Sequence, residues 1–173
     1  PSVFIWSVGN EMGDIQSKIN RTTARARGLA RDYKTAKTVG VIEVDEEKQL
    51  VKIGKPVGIV AALIPTTVPA GVVFIGAMNM IMGRNAMICS PHPRAKETIG
   101  RALDIMIEAA EAAGMPEGAV CYMHTVTASG TIELMNHEHT AMILNTGVPG
   151  MLKAAQDSNK PLIYGGAGNG PVF

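Results

Sequence analysis

A parallel β-sheet wrapped by helices, the α/β class, is what the sequence predicts, on three observations. Residues 57–64, "VGIVAALI", form a continuous apolar run, the mark of a strand buried on both faces. From there to the end, short apolar runs alternate with stretches at helical spacing, a β-α-β-α-β-α-β-α-β series. The loops that follow the strands consist largely of small residues and prolines. A sheet of this kind binds ligands at the carboxyl ends of its strands, on loops leading into helices.

The elements follow in order. Residues 10–37 are polar and basic, with Lys18, Arg21, Arg25, Arg27, Arg31, Lys34 and Lys37. Ile15, Ile19, Ala26 and Leu29 supply a thin apolar stripe, so a helix packed by a narrow face is expected. Tyr33 is the one aromatic among these charges, and the stretch reads as a solvated face and not as a nucleic-acid surface. In residues 38–55 Val39, Val41, Leu50 and Ile53 flank a charged tip, Asp45-Glu46-Glu47-Lys48. That pattern predicts a hairpin projecting from the body. The chain thus divides into a helical segment (1–37), a hairpin (38–56) and the α/β unit (57–173).

Within that unit the stretch 70–82 is read as a helix and 85–89, "NAMIC", as a strand. Next comes a helix begun by Pro93, carried by Ile99, Leu103, Ile107 and Ala110, and closed by Gly114. Residues 119–123 are a strand, 129–135 a short helix, 141–144 a strand, 150–156 a helix and 162–164 a strand. Residues 57–82 contain no charge and match a bilayer span in length. Pro65 and Pro69, four residues apart, break that reading and divide the stretch into strand, loop and helix.

Composition narrows the class. The 173 residues are 46% apolar and 18% charged, enough for a real core, with only 4% aromatic residues and 11 Met. The net charge of +1 gives no overall bias toward nucleic acid. Two cysteines without a short-spaced partner make neither a disulfide framework nor a zinc site, so a reducing, intracellular setting is expected. Cys89 and Cys121 end apolar runs and read as buried, inert thiols. His124, His137 and His139 lack a ligand pattern, and no metal is expected. The first residue is Pro1, and "GNGPVF" at the end reads as a turn entering a strand. Both features are expected of a fragment of a longer protein.

Topology singles out the loops 65–69, 90–93, 125–129 and 145–150. "IPTTVPAG" holds two hydroxyls between prolines, "CSPHPRA" brings Ser90, His92 and Arg94 to a helix start, and "NTGVPG" brings Thr146 and open amides to another. Helix N-termini suit phosphate, and small residues admit a ligand to the backbone. There is no G-x-G-x-x-G after the first strand. Alone, "NTGVPG" is either a capping turn, with Thr146 as the cap, or a phosphate site. His92 either meets a ribose or phosphate or caps its helix.

The motifs "KPVGIVAALIPTTVPAG", "GRNAMICSPHPRAKET", "AAGMPEG" and "LNTGVPGMLKAAQDSNKPLIYGGAGNGPVF" resemble the CoA-acylating aldehyde dehydrogenases. That group includes the aldehyde dehydrogenase half of bifunctional aldehyde/alcohol dehydrogenases. The likeness runs from about residue 11 to 173. It implies the Rossmann-like NAD-binding fold of that superfamily, with residues 38–55 resembling part of a hairpin that joins subunits into a homo-oligomer. It implies reversible conversion of a small aldehyde, CoA and NAD, with NADP as the alternative, to acyl-CoA. It also implies a bacterial cytoplasmic or microcompartment setting, without nucleic acid or membrane as partner.

By that resemblance Ile64, Pro65, Thr66 and Thr67 line the nicotinamide side. Ser90 and His92 lie near the adenosine ribose, and Thr146 and Gly147 beside the pyrophosphate. Gly165 and Ala167 complete the cofactor set. Gly165 stands where hydrolytic relatives keep a glutamate base. The family nucleophile is a cysteine expected beyond residue 173, so this chain holds no catalytic residue and is expected to be inactive alone. Val148 replaces a glycine common in "TGGPG", and Val68 an asparagine common in "PTTNP". A non-catalytic nucleotide-binding or assembly module on the same fold is the alternative.

Overall fold

The computed structural model describes residues 14–166. Helix α1 spans Ile15–Tyr33 and begins at Asp14, whose carboxylate accepts the Ser17 N–H at 2.7 Å. Its basic residues Arg21, Arg25, Arg27 and Arg31 are exposed, as the solvated-face reading expects. The apolar stripe is narrower than expected. Ile15 in the first turn is exposed, Ile19, Ala26 and Leu29 are half-buried, and the one buried residue of the helix is Thr22. Strands β1 (Gly40–Asp45) and β2 (Leu50–Gly54) pair antiparallel as a separate two-stranded hairpin. Val41, Val44, Leu50, Val51 and Ile53 are all more than half exposed on it.

The main sheet contains β3 (Ile59–Ile64), β4 (Ala86–Pro91), β5 (Val120–Tyr122), β6 (Thr140–Thr146) and β7 (Leu162–Gly165). Its order is β5-β4-β3-β6-β7, and every pairing is parallel. The first strand is therefore central. The chain winds outward through β4 and β5, then returns to the other side of β3 for β6 and β7. The crossovers carry α2 (Pro69–Met82), α3 (Lys96–Ala112), α4 (Ala128–Asn136) and α5 (Leu152–Asp157). Short 3₁₀ turns at Pro93–Ala95 and Pro149–Met151 lead into α3 and α5.

Strand β3 shows why an uncharged run was needed. Its side chains alternate between two cores, because successive residues of a strand face opposite ways. Ala62 and Ile64 join Val73 and Ala77 of α2 and Ile99 and Leu103 of α3 on one face. Ala61 and Leu63 join Met135 of α4 and Ala155 of α5, with Ile143 of β6, on the other. Residues 60–64 are all at most 2% exposed, so a charge on either face of this strand would be stranded. Small alanines at 61 and 62 leave room for the helices to approach. Pro69 sits in the first turn of α2, where its missing N–H costs nothing, so the helix starts there and not at Ala70. Among the described residues no helix is long and apolar enough to cross a membrane.

Candidate functional site

The strand order reverses between β3 and β6, and a crevice opens outside the carboxyl ends of strands at such a point. A cavity of about 510 Å³ lies there. Its wall comes from four separate loops: 63–67 after β3, 90–93 after β4, 126–131 at the start of α4, and 147–151 after β6. Ile64, Pro65, Thr66, Thr67, Ser90, His92 and Gly147, expected together from the sequence, all line it. Thr146 and Gly165 do not. Thr146 ends β6 opposite Gly165 in register, and the Gly165 carbonyl accepts the Gly147 N–H at 2.8 Å. Ala167 lies outside the described residues.

Two expectations about the "NTGVPG" loop need correction. Thr146 does not cap the following helical turn, since Val148 occupies that position and no side chain caps it. Nor are the loop's amides bare at Gly147 and Val148. The first donates to Gly165, and the second donates to Asn145 Oδ1 at 3.0 Å. Asn145 is fully buried, and its Nδ2 also donates to the Val148 carbonyl at 3.0 Å. One side chain thus holds both backbone groups of the same residue. A rotated amide would break both bonds, so the partners fix its orientation. Val148, which stands in place of the glycine common in the motif, packs partly against the second core while lining the cavity.

Gly147 makes the loop's bend. Its φ is +67°, a conformation that costs glycine little and other residues more. A Cβ there would make only ordinary contact with Pro65, at 4.0 Å, so glycine is favoured at this bend by its backbone conformation and not by lack of space. At the β3 end, α2 begins without a side-chain cap; its first residues Pro69, Ala70 and Gly71 are buried and do not line the cavity. Lys18 of α1 donates to the Thr67 carbonyl at 2.8 Å and ties that rim to the first helix.

His92 resolves in favour of the cap through one of its nitrogens. Nδ1 accepts the Arg94 N–H at 3.2 Å. The neutral ring then carries its proton on Nε2, a donor. His92 still lines the cavity, so capping and ligand contact use different atoms. Ser90 is buried and its hydroxyl pairs with that of Thr131 at 2.8 Å. Thr127 caps α4 by accepting the Gly130 N–H at 3.0 Å. Thr127 and Asn145 fall in loops that the topology singled out without being named as site residues, and Thr131, which lines the cavity, was missed. The signal for Thr127 was the same one used elsewhere, a threonine just before a helix.

Among the described residues, every side chain that lines the cavity is neutral or, in His92, an imidazole, and no Lys, Arg, Asp or Glu takes part. The thiols lie elsewhere. Cys89 is buried within the first core, and burial, with Cys121 beside it, pushes its thiol far up from the ordinary range. Burial also raises that of Cys121 on edge strand β5. Neither lines the cavity. No group of three or more His, Cys, Asp or Glu among the described residues is arranged to hold a metal.

The arrangement is that of a doubly wound parallel α/β unit with a crevice at its strand-order reversal. The aldehyde dehydrogenase family model matches residues 3–169, and the chain belongs to that family. It is 38% identical over 161 residues to the bifunctional aldehyde-alcohol dehydrogenase AdhE of Escherichia coli (strain K12), covering 93% of this chain and 18% of that protein. Among solved structures, a probable aldehyde dehydrogenase from Listeria monocytogenes superposes with a TM-score of 0.88 at 38% identity, over 98% of this chain and 37% of the other. An acetylating aldehyde dehydrogenase from Geobacillus thermoglucosidasius gives 0.84 at 40% identity, over 93% and 35%. At a TM-score of 0.63 and 30% identity, over 66% of this chain and 26% of each neighbour, stand an engineered glycolyl-CoA reductase with bound NADP+ and a Rhodopseudomonas palustris propionaldehyde dehydrogenase with bound CoA. The chain therefore spans about a fifth to about a third of the length of these relatives.

Proposed function

We propose that the chain is the nicotinamide-dinucleotide-binding part of a CoA-acylating aldehyde dehydrogenase. The observation that carries this is a cavity at the strand-order reversal, built from four strand-end loops and bordered by a glycine bend. Its donor set fits a dinucleotide. The hydroxyls of Thr66 and Thr67 and the His92 Nε2–H suit phosphate and ribose oxygens, and the apolar side chains of Val126, Val148 and Met151 suit a flat base. The bound cofactor would supply hydride acceptance; the residues here orient it and exclude water.

The acylating branch is supported by the acetylating enzyme among the structural neighbours and by the CoA held in another. On this reading a small aldehyde and CoA are the other substrates, and the exposed apolar hairpin joins copies of the complete protein into an oligomer. A bacterial cytoplasmic or microcompartment setting accompanies it. On this reading neither cysteine is the nucleophile: Cys89 is buried in the first core, Cys121 is half-buried on the edge strand, burial raises both thiols, and neither lines the cavity.

Titration calorimetry of the chain with NAD+ is expected to show saturable one-to-one binding. Adding aldehyde and CoA is expected to yield no NADH. Absence of saturable binding at millimolar NAD+ would remove the dinucleotide reading. NADH production abolished by Cys89→Ala or Cys121→Ala would contradict the thiol assignment. Binding without any role in a larger dehydrogenase would favour a non-catalytic nucleotide module.

A further inference from the structure

We infer that Lys18, on the helix that precedes the α/β unit, is a positioning residue for the dinucleotide: it holds the wall of the crevice after β3 in its binding shape. The inference rests on the nicotinamide reading above and goes beyond it, because it brings α1 into the binding machinery.

The four walls are not held alike. Asn145 and Gly165, from β6 and β7, fix the wall at 147–151. The Thr127 cap and the Ser90–Thr131 contact fix the wall at the start of α4, and the His92 cap fixes the one at 90–93. All these partners lie within the α/β unit. The wall after β3 differs. Among the described residues, the one side-chain hydrogen bond to Pro65, Thr66 or Thr67 comes from Lys18, 49 residues away in sequence, whose Nζ donates to the Thr67 carbonyl at 2.8 Å. Thr67 lines the cavity, and its hydroxyl has no protein partner among the described residues. The residue is therefore held from outside by its backbone while its side chain is left for a ligand.

The packing of α1 brings Lys18 to that carbonyl. Lys18, Thr22 and Tyr33 meet Thr67, Gly71 and Asn79 in the same order, so α1 runs beside α2 in the same direction. At the middle contact Thr22 is buried, and a Cβ on Gly71 would stand 3.5 Å from its hydroxyl. Lys18 itself is half-buried, whereas Arg21, Arg25, Arg27 and Arg31 of the same helix are exposed. The bond to Thr67 is solvent-exposed. Its charge-assisted gain is screened and is offset in large part by the entropy of ordering a long side chain. The effect of the tether therefore falls on the shape of the loop more than on global stability.

The test titrates the chain and three variants with NADH by fluorescence and records each melting temperature. Lys18→Met keeps the apolar stem and removes the donor. It is expected to weaken NADH about three- to tenfold while the melting temperature stays within about 2 °C of wild type. Lys18→Arg restores a charged donor at the same place and is expected to recover most of the affinity. Arg25→Met removes the same charge from an exposed position of α1 and is expected to leave the affinity unchanged. Wild-type affinity in Lys18→Met, no recovery in Lys18→Arg, or equal losses in Lys18→Met and Arg25→Met would overturn the positioning role and leave the nicotinamide reading standing. A larger fall in the melting temperature of Lys18→Met would also overturn it, because the tether would then hold the fold and not the wall. Failure of the wild type to bind NADH overturns both.

Discussion

Asn145→Ala is expected to lower stability by about 2–3 kcal/mol and to weaken dinucleotide binding at least tenfold. The side chain is fully buried and makes two hydrogen bonds, one to each backbone group of Val148. Truncation leaves a partly buried N–H and a partly buried C=O without those partners, each costing about 1–3 kcal/mol if no water replaces it. The lost volume adds a smaller packing term. The binding effect follows from geometry. The clamp closes the turn that carries Gly147, and Gly147 and Val148 form one rim of the cavity. Asn145→Leu separates the two causes, because it restores bulk without hydrogen bonds. If the bonds matter, leucine is no better than alanine in the affinity measurement. If leucine restores wild-type affinity, the clamp account is wrong. Thermal unfolding followed by circular dichroism reads the stability arm.

Leu103→Ala is expected to cost more, about 2–5 kcal/mol, and to do so without altering the cavity. Leu103 is fully buried on α3 and belongs to the core under β3 and β4. A chain of this length loses roughly 2–4 °C of melting temperature per kcal/mol, so the midpoint is expected to fall by about 5–15 °C. Leu103 does not line the dinucleotide cavity. Below the new midpoint, affinity for NADH is therefore expected within about twofold of wild type. The pair of variants divides the molecule into a part that holds the fold and a part that shapes the site. A Leu103→Ala protein that melts normally, or one that is folded yet fails to bind, would show that this division is drawn in the wrong place.

The fold was legible because its strongest signal is the coarsest one. An uncharged run in a parallel sheet admits few other readings, and Pro65, Pro69 and Pro93 mark the strand-to-helix turns. Which loops meet was legible for the same reason, since parallel strands carry all their carboxyl ends to one edge. The chemistry within the loops was less so. Thr146 looks like a cap because it precedes a helical turn, but as the last residue of β6 it is held in the ladder opposite Gly165. Asn145, read from the sequence as the first residue of the loop but buried within β6, does the fixing instead. The bond that reveals this spans three residues, yet nothing in the letters distinguishes an asparagine turned toward its own loop from one paired elsewhere. The Ser90–Thr131 bond joins residues 41 apart and depends on α4 packing beside β4, which no local pattern encodes. Gly165 was visible as a missing carboxylate, but its structural part, accepting the Gly147 N–H, needs the β6–β7 register.

The most direct test of where this molecule meets its ligand is an amide chemical-shift map of the isotope-labelled chain during NADH addition. The expected result is that saturable shifts concentrate at Thr66, Thr67, His92, Thr127, Gly147 and Gly150, the rim of the cavity. A second depression of about 690 Å³ lies along α3 and β5, beside Lys96, Arg101, Asp104, Tyr122 and His124. Shifts confined to those residues, or no saturable shifts at the strand-order reversal, would contradict the account.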